Sequence, residues 1–223
     1  MGLNLNSVKI NPRGRGGKKK RAAYHHGDLR QQLLSVTEQI ILERGVSGFT
    51  LREAARRAGV SPAAPAHHFK DAKGLLTEVA ILGFRDFGDA LDTADRGSAD
   101  PQERLRAQGL AYVHFALEHP ARFQLMFHRD KLDVENPEFQ KVSQRAYSVL
   151  DRAIRAATNI PEGRELTPEA HGLLLAVWSA VHGFSHLVLE WTLRTPGGDP
   201  ATKEEALRTF LPLMLKYLPV KGI

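Results

Sequence analysis

Cysteine is absent from the 223 residues, which excludes disulfides and thiolate metal sites and fits a reducing compartment. No apolar run follows the basic N-terminal stretch, so no signal peptide is expected. The longest apolar segment, Leu173 to Leu189, is interrupted by Ser179, His182, Ser185 and His186. It falls short of the ~20 residues of a membrane span and reads as a buried helix, so no membrane partner is expected. Catalytic signatures are missing too. There is no G-x-S-x-G elbow and no convincing carboxylate pair, and GRGGKKK lacks P-loop spacing and its terminal Ser/Thr. Neither an enzyme nor a cofactor is expected.

Acid is missing from residues 1–27, which hold Lys9, Arg13, Arg15, Lys18, Lys19, Lys20 and Arg21. That tail carries +7 of a net +6, leaving −1 for residues 28–223. The basicity is therefore an arm on a nearly neutral body. Rich in glycine, the arm is expected to be disordered when unbound. Such arms bind polyanions, usually nucleic acid; a plain solubilising tail is the alternative.

Almost nothing alternates like a strand, and helix punctuation is dense. Asp28 is placed to cap a first helix that carries Leu29, Leu33, Val36 and Ile40 until Gly45 stops it. Thr50-Leu51-Arg52-Glu53 reads as a capping box for a short second helix ending at Gly59. Asp100-Pro101, Asn136-Pro137, Thr167-Pro168 and Asp199-Pro200 each pair a cap with proline at the first helical position. The apolar period predicts helices over about 72–93, 101–118, 137–158, 168–194 and 200–218, with a short piece over 121–128. The expected class is all-α.

Residues 50–69 read as two short helices around Gly59-Val60-Ser61, a helix-turn-helix. Pro62 suits the first helical position after a Ser61 cap, whereas Pro65 forfeits the first intrahelical bond. A short recognition helix with a loose or 3₁₀-like first turn is predicted. Its face offers Ala63, Ala64 and Ala66, with His67 and His68 as the only large polar groups. Alanine methyls can meet thymine methyls, so base reading is thin. Affinity falls to charge: the arm with Arg52, Arg56, Arg57, Lys70 and Lys73.

GFTLREAARRAGVSPAAPAHHFKDAKGLL resembles the N-terminal DNA-binding region of the TetR family of bacterial transcriptional regulators. The match covers about residues 28–76. The resemblance implies that the helix after the turn enters the major groove of a palindromic operator, with Thr50, Arg52, Ser61, Pro62, Ala63, Ala64, His67, His68, Lys70, Lys73 and the arm on DNA. Ala66 stands where the family usually carries tyrosine, and Pro65 where a larger apolar residue is common. YHHGDLR and VWSAVHG resemble a subgroup with a Trp-x-x-x-His-Gly signature in the C-terminal domain. The implied organisation is a basic arm (1–27), a helix-turn-helix domain (28–74) and a C-terminal effector-binding and dimerisation domain (75–223). The resemblance also implies a cytoplasmic, nucleoid-associated bacterial protein, a repressor released by a small ligand.

By the same resemblance, the last two long helices pair with those of a second subunit. Val177, Phe184, Leu187, Val188 and Trp191, then Phe210 and Met214, are more apolar groups than a monomer's surface helices need. Pro212 is expected to kink the last helix. Family members hold a small, mostly apolar effector among the C-terminal helices, for which Tyr112, Phe115, Phe123, Phe127, Tyr147, Trp178, His182 and Ser185 are the candidates.

Two rivals stand beside this reading. His182 and His186 at i and i+4 suit zinc, but Glu190 as a third ligand spreads the set over about 12 Å of helix, so no metal site is expected. A zinc-responsive regulator is one alternative. An architectural nucleoid protein that uses the arm without effector control is the other.

Overall fold

The protein's structure, a computed structural model, describes residues 26–217, with side chains from residue 29 onward. The arm residues Arg15, Lys18, Lys19, Lys20 and Arg21 lie outside the described residues. The elements are α1 (His26–Arg44), α2 (Leu51–Arg57), α3 (Ala64–Phe69), α4 (Ala72–Asp95), α5 (Pro101–Glu118), α6 (Pro120–Met126), α7 (Pro137–Thr158) and α8 (Pro168–Leu189). A broken C-terminal helix follows: α9 (Lys203–Glu205), a π-helical turn (Ala206–Phe210) and α10 (Leu211–Tyr217). Among the described residues no strand forms; Arg194 and Pro200 make one isolated bridge. The fold is all-α.

The caps act much as the sequence predicts. Asp100 accepts from the Gln102 N–H, Asn136 from those of Glu138 and Phe139, and Thr167 from that of Ala170, each ahead of a proline in the first turn. Asp199-Pro200 is the exception. It lies in a turn closed by the Thr195 N–H to the Asp199 carbonyl (2.8 Å), and Thr202 with Glu205 forms the capping box that starts α9. The first helix begins at His26, two residues before the expected cap at Asp28. α8 stops at Leu189, short of 194, because Trp191 turns left-handed at φ 55°. Pro212 does disturb the last helix. Without an N–H, and with its ring against the carbonyl four residues back, it cannot continue a regular ladder. The turn before it widens so that the Leu211 N–H bonds the Ala206 carbonyl, a π-helical step.

Leu33, Leu34, Ile40 and Ile41 of α1 are buried against Leu75, Val79 and Ala80 of α4 in one apolar cluster. Each such aliphatic contributes ~1.5–3 kcal/mol. That cluster runs on through Phe84, Phe87, Phe123 and Leu125 to Leu211 and Leu215. The division expected between residues 74 and 75 falls in the first turn of α4, and the buried cluster is continuous across it. α8 is long and apolar enough to cross a membrane, with a mean hydropathy of 1.6. Its inner face explains much of that, since Leu174, Val177, Val181 and Val188 pack inward.

Candidate nucleic-acid interface and ligand cavity

Ala54, Ala55 and Ala58 let α2 sit close to its neighbours because a methyl is all that must be buried. Thr50 caps α2 by accepting from the Glu53 N–H at 3.2 Å. The expected capping box is only half made, because the Glu53 carboxylate turns to arginine instead. Arg56 reaches it at 2.8 Å, as does Arg57, which also grips Glu43 at 2.6 Å. Hydrogen bonds from Arg56 and then Arg57 hold the Glu53 carboxyl down at about 2. Arg57 is thus committed to an internal ion cluster, a correction to its place among the DNA-facing charges. The Glu43 contact spans 14 positions and has no local sequence signal. Arg52, Lys70 and Lys73 are exposed and take no side-chain ion pair among the described residues.

The two prolines resolve differently from the expectation of a Ser61 cap. α3 begins at Ala64, with Ala63 in the cap position and no side-chain cap, so Ser61 is not the cap and Pro62 is not the first helical residue. The Ala64 N–H bonds the Ser61 carbonyl and the Ala66 N–H the Ala63 carbonyl, both three residues back. This is the 3₁₀-like entry that the sequence predicts. Pro65 lies in the opening turn, where its missing N–H costs little, and its ring is buried with Phe69. It serves the core in place of a larger apolar residue. Ser61, Pro62, Ala63, Ala66 and His67 face solvent, Ala64 and His68 are half-buried, and His68 tilts against Phe69 at 6.1 Å. Lys70 ends α3 at φ 68° and ψ −59°, a γ-turn closed by the Asp71 N–H to the Phe69 carbonyl at 2.8 Å.

A cavity of about 330 Å³ lies among α4 to α8. Tyr112, Phe127, Tyr147 and Trp178 line it, as the sequence reading expects. Four other candidates do not. Phe115 packs on Phe87 at 5.1 Å, and Phe123 is fully buried behind Tyr112. Ser185 is fully buried and donates to the Val181 carbonyl, four residues back. His182 stands behind the wall, its Nδ1 2.7 Å from the Tyr112 hydroxyl and its ring against Phe127. Burial, and then His186, lower its pKa, so it is neutral near pH 7. The Tyr112 hydroxyl is pushed well up by burial, with Trp178 opposing. The sequence reading misses Phe84, Phe87 and Leu91 of α4, Gln108 of α5, Arg129, and Phe139 and Ser143 of α7. Most read simply as core on a helical stripe. Gln108 and Ser143, polar beside apolar helical stripes, could have signalled themselves.

Among the described residues no group of three or more His, Asp or Glu gathers to hold a metal. His186 turns its Nδ1 to Glu190 at 3.4 Å.

The expected dimer face also needs revision. Val177, Phe184 and Val188 are buried within the protomer, because α8 turns that stripe toward α5 and α7. Leu187 and Trp191 are exposed, and Phe210 and Met214 half-buried. The outer face of α8 is instead Gly172, Leu175, Ala176, Ser179, Gly183 and Leu187.

Comparison with known proteins agrees with this geometry. The family model for bacterial regulatory proteins of the tetR family matches residues 33–79, and that for the tetracyclin repressor-like C-terminal domain matches 105–210. The HTH-type transcriptional regulator BetI of Paraburkholderia phytofirmans is 37% identical over 79 residues, 35% of this chain and 40% of that protein. BetI of Yersinia pestis is 36% identical over 80 residues. The chain thus aligns with well under half the length of these curated relatives. Among solved structures, a Rhodococcus sp. RHA1 protein of unknown function is 29% identical, over 88% of this chain and 98% of its own, with a TM-score of 0.66. The TetR family regulator PfmR of Thermus thermophilus shares the fold at 23% identity, over 87% and 96% of the two chains, with a TM-score of 0.63. With one family's models matching both its N-terminal and C-terminal parts, the chain belongs to the TetR family of bacterial regulatory proteins.

Proposed function

We propose that this protein, from a family of regulators rather than enzymes, is a DNA-binding transcriptional repressor that acts as a homodimer on a palindromic operator. A small, mostly apolar effector releases it. The observation that carries this reading is the division of α3. Pro65 and Phe69 anchor it to the core, while Ser61, Pro62, Ala63, Ala66 and His67 face outward beside the cations Arg52, Lys70 and Lys73, which take no ion pair among the described residues. A slender outer face flanked by positive charge suits a major groove. The arm, with Arg15, Lys18, Lys19, Lys20 and Arg21, adds phosphate contacts. Functionally we divide the chain at residues 27 and 74, and place it in the subgroup marked by Trp178, His182 and Gly183. It would act in the bacterial cytoplasm, at the nucleoid.

The exposed stripe of α8, with Leu213 and Tyr217 of α10 at 49% and 79% exposure, supports pairing with a second copy. Effector control follows from α4. It lines the cavity through Phe84, Phe87 and Leu91, and its first turns carry Leu75, Leu76 and Val79 against α1. A ligand with differential affinity for two tilts of α4 shifts the spacing of the recognition helices.

Selection of bound sequences from random DNA tests the reading. The expected product is a two-fold motif with half-sites about 34–36 Å apart or a multiple of that. Steep salt dependence with no palindrome would favour an architectural protein. No affinity for any duplex in dilute buffer would end both readings.

A further inference from the structure

The interior of the cavity has little polar chemistry to offer a ligand. The Tyr112 hydroxyl is engaged with His182 Nδ1 at 2.7 Å, and Ser143 donates to the Gln140 carbonyl at 3.1 Å. Gln108 gives its Nε2 to Asp95 at 2.8 Å, and its Oε1 is sealed off from solvent and cavity alike. The mouth differs. Among the lining residues only Arg129, Gln144 and Tyr147 are exposed. Arg129, which opens the short turn Arg129–Lys131 between α6 and α7, is the one charged residue in the lining. No acid joins it there. Asp130 pairs with Lys131 at 3.3 Å and Glu138 with Arg85 at 2.6 Å, while Asp133 and Glu135 lie off the cavity wall. Arg129 itself takes no ion pair or side-chain hydrogen bond among the described residues.

We infer that the cavity takes an amphipathic monoanion, an aromatic or aliphatic carboxylate whose apolar body fills the interior while its carboxylate pairs with Arg129 at the mouth. The inference rests on the cavity being the effector site and adds the chemical class of the effector. A carboxylate carried inside would lose its hydration with nothing to replace it, so the charge belongs at the solvent-facing end. There the guanidinium fork matches a carboxylate with two parallel N–H donors, and one positive charge balances one negative. Phe87, Leu105, Leu150 and Trp178 supply the apolar contact deeper in. Size sets the other limit. A cavity of about 150 Å³ accepts benzene, so about 330 Å³ suits two fused rings or a chain of similar bulk.

The probes are 2-naphthoate and decanoate, each beside its primary amide, titrated calorimetrically into the full-length protein near pH 7 at low salt. The amide keeps the shape and removes the charge. With no cation at the mouth the amide binds at least as well, because the carboxylate loses hydration. With Arg129 as partner, the acid of the pair that fits should bind about fivefold more tightly than its amide, the size expected of a solvent-exposed ion pair. Arg129→Gln should abolish that preference and leave the amide's affinity unchanged, whereas Arg129→Lys should keep most of it. Arg129→Met serves if the glutamine variant does not fold. Equal affinity of the native protein for acid and amide overturns the anionic class but leaves the cavity as a binding site. A preference that persists in the folded Arg129→Gln variant gives the carboxylate another partner and also overturns the inference. Binding of none of the four probes removes the cavity reading, and this inference with it.

Discussion

Arg122 of α6 donates to Glu38 of α1 at 2.9 Å across 84 positions of sequence, and reaches Asp86 of α4 at 2.5 Å with a second nitrogen. One guanidinium therefore ties α1 to both α4 and α6. The Arg122 and Glu38 side chains are 19% and 23% exposed, dry enough for the pair to matter.

Replacing Arg122 by methionine keeps the stem and removes both bonds. Stability should fall by about 2 kcal/mol, a shift of about 4–8 °C in Tm for a chain of this size. Urea denaturation with an unchanged m-value checks it.

The end of α3 is strained where it meets DNA in the proposed function. Lys70→Gly relaxes φ 68° and should add about 1 kcal/mol of stability while weakening DNA binding, since a positive charge is removed. Gly74→Ala places a methyl 2.0 Å from the Phe69 carbonyl oxygen and should cost at least about 1–3 kcal/mol. Thermal melts and mobility shifts on the same variants separate the two effects.

Deleting residues 1–21 should reduce DNA affinity and flatten its salt dependence, by about 0.9 in logarithmic slope for each phosphate that the arm no longer neutralises. An unchanged slope would take the arm off the DNA.

His67→Ala should relax sequence preference, costing about 1–3 kcal/mol of discrimination at the base pair it touches. Lys70→Ala should weaken all sequences alike. Selection from random DNA with each variant distinguishes them, and equal effects would mean that His67 reads no base.

His182 gives the fold an acid-side sensitivity. Its folded pKa lies below the ordinary 6.5 through burial and then His186. Below 6.5 the unfolded chain therefore binds a proton that the folded chain refuses. Its contribution is complete above that pH and declines as pH falls toward the folded value. His182→Gln should lose less stability than the native protein between pH 7.5 and 5.5 in urea titrations.

Helix starts are written locally, because a capping oxygen and a proline at the first position act within three residues. Asp100-Pro101, Asn136-Pro137 and Thr167-Pro168 therefore stand where expected. Asp199-Pro200 fails because Thr202 and Glu205 form a competing box three residues on. The helix-turn-helix is legible for the same reason: Thr50, the Gly59 turn and Phe69 are local signals.

The sequence by itself determined the helical class, the order of the elements and the basic tail, because periodicity, caps and charge need no partner distant in the chain. Only the tertiary structure decided which side of each helix is inside. It sent Val177, Phe184 and Val188 to the core, Arg57 to Glu43, His182 behind Tyr112 and Gln108 to the cavity wall. The physical reason is that a helix of apolar residues has several faces able to be buried. Which one wins is settled by neighbours tens of residues away.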